Sequence, residues 1–270
     1  MATFQMNYLS TMLGMQTNFS VFFPSYQPSR DNADASIREI YPRGRRYPVL
    51  WLLHSDAGDD SEYLKNTNIM RYAQAAGIAV VMPCGYNMMY SDDPTGQKFM
   101  KLITRELPVL CSSYFPFSDR REDNYIGGVS LGAYGALKAA LSEPGRYSGA
   151  LLIDGGFGKD MTGGFLQKIR SLAAEQGLVP PSPLDDALPE EMELYGAAQK
   201  NVEAGGPLPK ILMAWGEHSD TAEFSRSGAE ALAELGYDVT KKEYAGRTRG
   251  WEFWDAALKD ALARWLPANA

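Results

Sequence analysis

The residue with the clearest chemical potential in this chain is Ser130. It lies in the stretch Asn124-Tyr-Ile-Gly-Gly-Val-Ser-Leu-Gly-Ala-Tyr-Gly135, whose centre Gly128-Val129-Ser130-Leu131-Gly132 is a G-x-S-x-G. Tyr125 to Val129 is a short apolar run that reads as a buried strand. Leu131 to Leu141 is rich in Ala and Leu and reads as a helix. The serine therefore falls on a tight strand-to-helix turn, the context in which this pattern presents a nucleophile. Glycines flank it because a sharp turn packed closely on both sides has no room for a Cβ. The first N–H groups of the helix then point at whatever binds beside the hydroxyl. Such a serine attacks a carbonyl carbon once a neighbouring base takes its proton.

The elements that must position Ser130 can be read in order. Residues 4–8 and 17–23 suggest two antiparallel strands ending at Pro24, and residues 25–47 a polar surface loop. Pro48 to His54 is a continuous apolar run, as expected of a central strand covered on both faces. Ser55 to Asp60 reads as a turn. Glu62 to Ala76 reads as a helix with an interruption at Asn66-Thr67. Ile78 to Met82 is another buried strand, and Cys84 to Gly96 a loop holding Tyr86, Met88, Met89 and Tyr90. Those four side chains suit a pocket wall or the local core equally. Lys98 to Tyr114 reads as a helix kinked at Pro108.

Beyond the serine turn, strands are expected over 147–153, 210–215 and 237–244, with helices over 221–235 and 251–265. Residues 155–206 hold Gly-rich and Pro-rich loops and read as a lid-like insertion, so 1–270 is expected to form a single domain. Strands alternating with helices imply an α/β fold with a mostly parallel central sheet and helices on both faces. Sites in such sheets lie at the carboxyl ends of the strands. That puts Ser130, the Ser55-Asp56 turn, and the loops after Trp215 and Tyr244 on one rim.

Composition narrows the function classes. The 270 residues are 45% hydrophobic and 22% charged, with a net charge of −7. This acidic balance argues against nucleic acid or an anionic membrane as partner. Cys84 and Cys111 lack metal-ligand spacing and make no disulfide framework, so no metal is expected. The N-terminus lacks the basic and apolar regions of a signal peptide, and a cytoplasmic location is the default.

Several stretches together resemble the esterase D-like α/β-hydrolases: tributyrin esterases, S-formylglutathione hydrolases, and acetyl-xylan and feruloyl esterases. They are Tyr47-Pro-Val-Leu-Trp-Leu-Leu-His54, Asn68-Ile-Met-Arg-Tyr72, Ala79-Val-Val-Met-Pro83, Glu106-Leu-Pro108, Asp119-Arg-Arg-Glu-Asp123, Gly128 to Leu137, and Trp251-Glu-Phe-Trp-Asp255. The resemblance implies an α/β-hydrolase fold and hydrolysis of small or short-chain acyl esters without a cofactor. It makes Ser130 the nucleophile and the N–H of Leu131 one oxyanion donor. A small-molecule ester is the implied partner, and a homo-oligomer is left open.

The site departs from the family at three places. Where the family carries its general-base histidine, in Gly-x-His-x-Trp-x-Phe-Trp, this chain has Arg249. Arginine stays protonated and has no acceptor lone pair, so it cannot shuttle a proton. The acid loop reads Gly216-Glu-His-Ser-Asp220, which sets the candidate acid Asp220 one place late. Where the family reads His-Gly-x-x-Gly, the chain reads His54-Ser-Asp-Ala-Gly58, so the second oxyanion N–H falls to Asp56. A carboxylate there opposes a developing oxyanion unless it points away or pairs with Arg249. Of the two histidines, His54 reads as structural. His218 is either a surface residue or a displaced base oriented by Asp220 or Asp56. Arg249 is expected to pair with Asp56, Asp220 or an anionic ligand. Two functions follow: an esterase with altered base chemistry, or a degenerate family member acting as a ligand-binding or interaction protein.

Overall fold

Four short runs, Val49–Leu53, Ala79–Pro83, Asn124–Val129 and Gly149–Ile153, are buried at every position. Strands without polar alternation must be covered on both faces. The computed structural model describes residues 1–27, 29, 33–86, 89–92, 96–155, 171, 174–175, 177 and 194–266. Its eight strands are β1 (Ala2–Ser10), β2 (Met15–Phe23), β3 (Val49–Leu53), β4 (Ala79–Pro83), β5 (Asn124–Val129), β6 (Gly149–Ile153), β7 (Lys210–Gly216) and β8 (Val239–Tyr244). They form one sheet in the order β1-β2-β4-β3-β5-β6-β7-β8. Strands β3 to β8 run parallel, while β1 and β2 pair antiparallel and join β4 antiparallel. This is the expected α/β-hydrolase arrangement with two antiparallel N-terminal strands.

Strand parity sorts the core into two layers. On one face Val49, Trp51, Leu53 and Ile126 pack with Leu131, Leu137, Phe99, Leu107 and Leu232. On the other, Leu50, Leu52, Tyr125 and Val129 pack with Tyr63, Ile69, Phe253 and Leu258. The outer strand β8 mixes half-buried and exposed positions, as one-sided cover requires. After β3 the chain steps outward to β4, then returns to β5 on the other side of β3. Sheets of this kind place their sites at such a reversal, here beyond the carboxyl ends of β3 and β5.

Local chemistry explains the details. The helix expected over 62–76 breaks as foreseen, into Glu62–Asn66 and Ile69–Ala76, the second closed by Gly77 at φ 67°. Pro108 lacks an amide hydrogen and its ring crowds the carbonyl four residues back. The turn before it, Leu102–Glu106, accordingly widens to a π-helix, and a regular helix resumes over Leu107–Tyr114. Two strands start two residues later than expected, at Gly149 and Val239. The loop at 25–47 contains one unexpected turn of helix, Ile37–Ile40, closed by a capping box between Ser36 and Glu39. Within 155–206 the helix Leu194–Glu203 is described. The rest of the expected lid lies almost wholly outside the described residues. Among the described residues, no helix is long and apolar enough to cross a membrane.

Candidate active site

Ser130 stands between β5 and the helix Leu131–Ser142 with φ 52° and ψ −118°, a conformation that costs a non-glycine residue about 1–3 kcal/mol. Its surroundings enforce it. The Ser130 amide donates to the Ile153 carbonyl at 2.9 Å, and the Ala133 amide donates to the Ser130 carbonyl at 3.0 Å. The helix start packs directly on the end of β3. A Cβ on Gly132 would overlap the Leu53 carbonyl oxygen and lie 2.7 Å from that of His54, and one on Gly128 would lie 2.7 Å from the Leu53 oxygen. Tyr63, fully buried, carries the β3–β5 ladder one step beyond its last backbone pair. Its hydroxyl donates to the Leu53 carbonyl at 2.7 Å and accepts from the Val129 amide at 3.1 Å.

Three side-chain atoms close a triangle at this point. Ser130 Oγ donates to Asp56 Oδ1 at 2.9 Å. Arg249 Nη2 donates to Ser130 Oγ at 2.6 Å and to Asp56 Oδ1 at 3.1 Å. The ion pair is partly shielded, with side-chain exposures of 22% for Arg249 and 37% for Asp56. Arg249 comes from the loop after β8. Its guanidinium lies 5.5 Å from the Trp254 ring centroid, within cation–π range. Its Nη1 is buried without a hydrogen-bond partner among the described residues. Of the three partners foreseen for Arg249, Asp56 is the one it meets. Asp56, foreseen as a backbone donor, meets the serine through its carboxylate. Leu131 is the first residue of the helix, so the helical ladder leaves its N–H unused.

Neither histidine reaches Ser130. His54 is buried and both ring nitrogens are engaged: Nε2 accepts from the Gly85 amide at 2.8 Å, so Nδ1 carries the proton and donates to the Ser55 carbonyl at 2.7 Å. Burial holds its imidazole below the ordinary 6.5. His218 is exposed, its side chain at 61%, with Nε2 4.0 Å from Glu217 Oε2. Asp220 is exposed as well and makes no hydrogen bond to Ser130. The physical reason is the turn after β7. The His218 amide is tied to the Arg247 carbonyl at 2.8 Å, which leaves His218 and Asp220 outside and sends the intervening Ser219 inward.

The inward Ser219 meets a carboxylate that the sequence reading passed over. Asp154 closes β6 at φ 56° with no exposure to solvent. Its Oδ1 accepts from Ser219 Oγ and Thr221 Oγ1, each at 2.5 Å, and its Oδ2 from Trp254 Nε1 at 2.9 Å. Asp154 thus anchors the helix whose Trp254 lies beneath Arg249. The available signal was an acidic residue ending the apolar run Ala150-Leu-Leu-Ile153, on the same rim as Ser130.

A second buried carboxylate supports the other wall. Glu62 Oε2 accepts from the Ser55 amide at 2.7 Å, and its Oε1 accepts from the Ser55 hydroxyl, which fixes the turn that carries Asp56. Burial pushes the Glu62 carboxyl from the ordinary 4.5 up to about 7, against the pull of those two bonds. A carboxyl whose folded pKa is raised contributes stability that is complete below about 4.5 and is lost as pH rises through about 7. The shift corresponds to about 3 kcal/mol. Urea unfolding at pH 5 and pH 8 is expected to show wild type losing up to that amount more than Glu62→Gln. A difference that stays constant between the two pH values rules the titration out.

The aromatic loop divides between roles left open by the sequence. Met89 and Tyr90 are fully buried, and Tyr90 donates to the His54 carbonyl at 2.9 Å, so both belong to the core. Tyr86 packs edge-on against Phe99, 5.9 Å between centroids. Met88 lies outside the described residues. Among the described residues, no cluster of three or more His, Cys, Asp or Glu is placed to hold a metal ion.

Comparison with known proteins agrees with this fold. Residues 30–157 match the model of a protein family described as "Putative esterase". The acetyl esterase of Caldicellulosiruptor saccharolyticus is 25% identical over 270 residues, covering 98% of each chain. Two solved structures from Staphylococcus aureus are similar throughout. The fluorophosphonate-binding serine hydrolase FphF, substrate bound, superposes with a TM-score of 0.79 at 24% identity, covering 100% of this chain and 99% of that one. The S-formylglutathione hydrolase FrmB superposes with a TM-score of 0.77 at 24% identity, covering 98% of both. At those identities the two structures speak for the fold.

Proposed function

We propose that the chain is a member of the esterase family whose model its residues 30–157 match, and that it hydrolyses carboxylic esters of small acyl groups, with Ser130 as the nucleophile. The observation that carries this reading is Ser130 itself, held at φ 52° at the head of a helix with its hydroxyl in a polar triangle. An inert serine gains nothing from so strained a turn. The similarity to an acetyl esterase along nearly the whole chain supports a short acyl group. In this reading Ser130 Oγ attacks the ester carbonyl. The Leu131 and Asp56 amides face the developing oxyanion, and Arg249 adds a fixed positive charge beside it.

A second reading is a chain that binds an ester without turning it over. What favours it is the absence of an imidazole from Ser130 and the presence of Arg249 on its hydroxyl. One experiment separates the two. A fluorophosphonate probe followed by intact mass is expected to add once to wild type and not to Ser130→Ala. The labelling rate should differ by at least about 10³. A wild type that stays unlabelled while Arg249→His reacts would favour binding over turnover.

A further inference from the structure

We propose that Asp56 is the general base of this site, taking the proton from Ser130 that an imidazole takes in serine hydrolases with a Ser–His–Asp triad. The inference rests on the esterase reading above. Its first support is geometric. A base must stand within about 2.6–3.2 Å of the proton it removes, and Ser130 Oγ donates to Asp56 Oδ1 at 2.9 Å. Among the described residues no other side chain able to accept a proton touches that hydroxyl, since the Arg249 guanidinium only donates to it. His54 has spent both nitrogens on backbone groups. His218 is exposed beside Glu217. Glu62 accepts from Ser55, and Asp154 from Ser219, Thr221 and Trp254.

The second support is the charge balance. A carboxylate is a weaker base than imidazole, so the alkoxide must be stabilised separately. Arg249 Nη2 does this from 2.6 Å. The same arrangement answers the objection to an acidic residue beside an oxyanion hole. Before reaction the cluster holds one negative charge on Asp56 and one positive charge on Arg249. As Ser130 Oγ bonds to the carbonyl carbon, its proton passes to Asp56 Oδ1 and the carbonyl electron pair moves to oxygen. The negative charge has then left Asp56 for the oxyanion, and the repulsion between them has gone with the proton. When the acyl–oxygen bond breaks, the leaving alkoxide takes the proton from Asp56, which leaves an acyl group on Ser130. Water then gives a proton to Asp56 as its oxygen attacks the acyl carbon. Ser130 Oγ recovers that proton as it departs, so ester and water become acid and alcohol. Arg249 remains protonated throughout.

Asp56 sits on a half-exposed turn, so its substitution is separable from folding, which thermal denaturation checks. The test measures hydrolysis of 4-nitrophenyl acetate by wild type, Ser130→Ala, Asp56→Ala, Asp56→Asn and His218→Ala, with and without added formate. Both Asp56 variants are expected to fall by about 10²–10⁴ while His218→Ala stays at the wild-type rate. Formate, a small carboxylate able to enter the space left in Asp56→Ala, should raise that variant by about tenfold or more. It should leave Ser130→Ala silent, and chloride at equal ionic strength should do nothing. If Asp56→Ala keeps its rate within about tenfold, or falls without rescue by formate, Asp56 is not the base although Ser130 chemistry stands. If wild type shows no Ser130-dependent hydrolysis, the esterase reading itself fails and takes this inference with it.

Discussion

Asp154→Ala is expected to remove about 3–5 kcal/mol of folding free energy, the largest loss foreseen for any single polar side chain here. Asp154 is completely buried and accepts hydrogen bonds from Ser219, Thr221 and Trp254. Ser219 and Thr221 are buried too, and Trp254 Nε1 is itself buried at its bond to Asp154, so none of the three donors turns to water once the carboxylate is gone. Each unmet buried donor costs about 1–3 kcal/mol. The effects overlap, because the hydroxyls of Ser219 and Thr221 also lie 3.0 Å from each other. Asp154→Asn should cost less. Its one amide oxygen can face the two hydroxyls, but its NH₂ group then meets the Trp254 N–H. Urea unfolding at pH 7 should rank wild type above Asn and Asn above Ala. If Ala loses less than about 1 kcal/mol, the three donors find other partners and Asp154 is no anchor.

Gly132→Ala should be severe for a steric reason. The new methyl group would overlap the Leu53 carbonyl oxygen and stand 2.7 Å from that of His54. Both obstacles are backbone, at the end of β3 and the entry to the turn that carries Asp56, so no side chain can swing aside. Relief requires the elbow helix to lift off the sheet. Overpacking of this kind costs about 1–3 kcal/mol and sometimes more, and here it also moves Ser130 away from Asp56. Gly145→Ala is the matched control, since its Cβ would meet nothing within 4 Å. Fluorophosphonate labelling and thermal denaturation should leave Gly145→Ala as wild type. Gly132→Ala should be unlabelled, and either markedly less stable or insoluble. Wild-type labelling of a well-folded Gly132→Ala would show that the elbow tolerates the displacement.

How much of this was legible beforehand depends on the range of each signal. The central strands declared themselves because burial on both faces demands uninterrupted apolar residues, as in Val49–Leu53. The elbow was legible because two glycines must flank a serine in so tight a turn. Pro108 announced a distortion because its chemistry is local, although a widened turn was not foreseen in place of a bend. The partners of Asp154 were not legible. They lie 65, 67 and 100 residues away, and no spacing rule joins them. Asp220 was chosen as the carboxylate of a loop that resembles the family's acid loop, one place late. The strict position, Ser219, is the one that turns inward, and a one-residue step across that turn exchanges interior for solvent. Asp56 was legible as a member of the rim. Its pairing with Arg249, 193 residues later, was among the expected partners, but the contact of its carboxylate with Ser130 appears only once the chain is folded.

The left-handed backbone at Ser130 carries a further consequence, for how the molecule divides its resources between endurance and activity. Glycine reaches that conformation without penalty, so the turn would be more durable with no hydroxyl there at all. The strain of about 1–3 kcal/mol is a sizeable share of the 5–15 kcal/mol that usually separates a folded domain from its unfolded chain. Random stabilisation of this protein would therefore tend to erode position 130 first. Selections for heat resistance alone should be paired with a screen for Ser130 chemistry, since the easiest improvement lies at the residue on which the proposed activity depends.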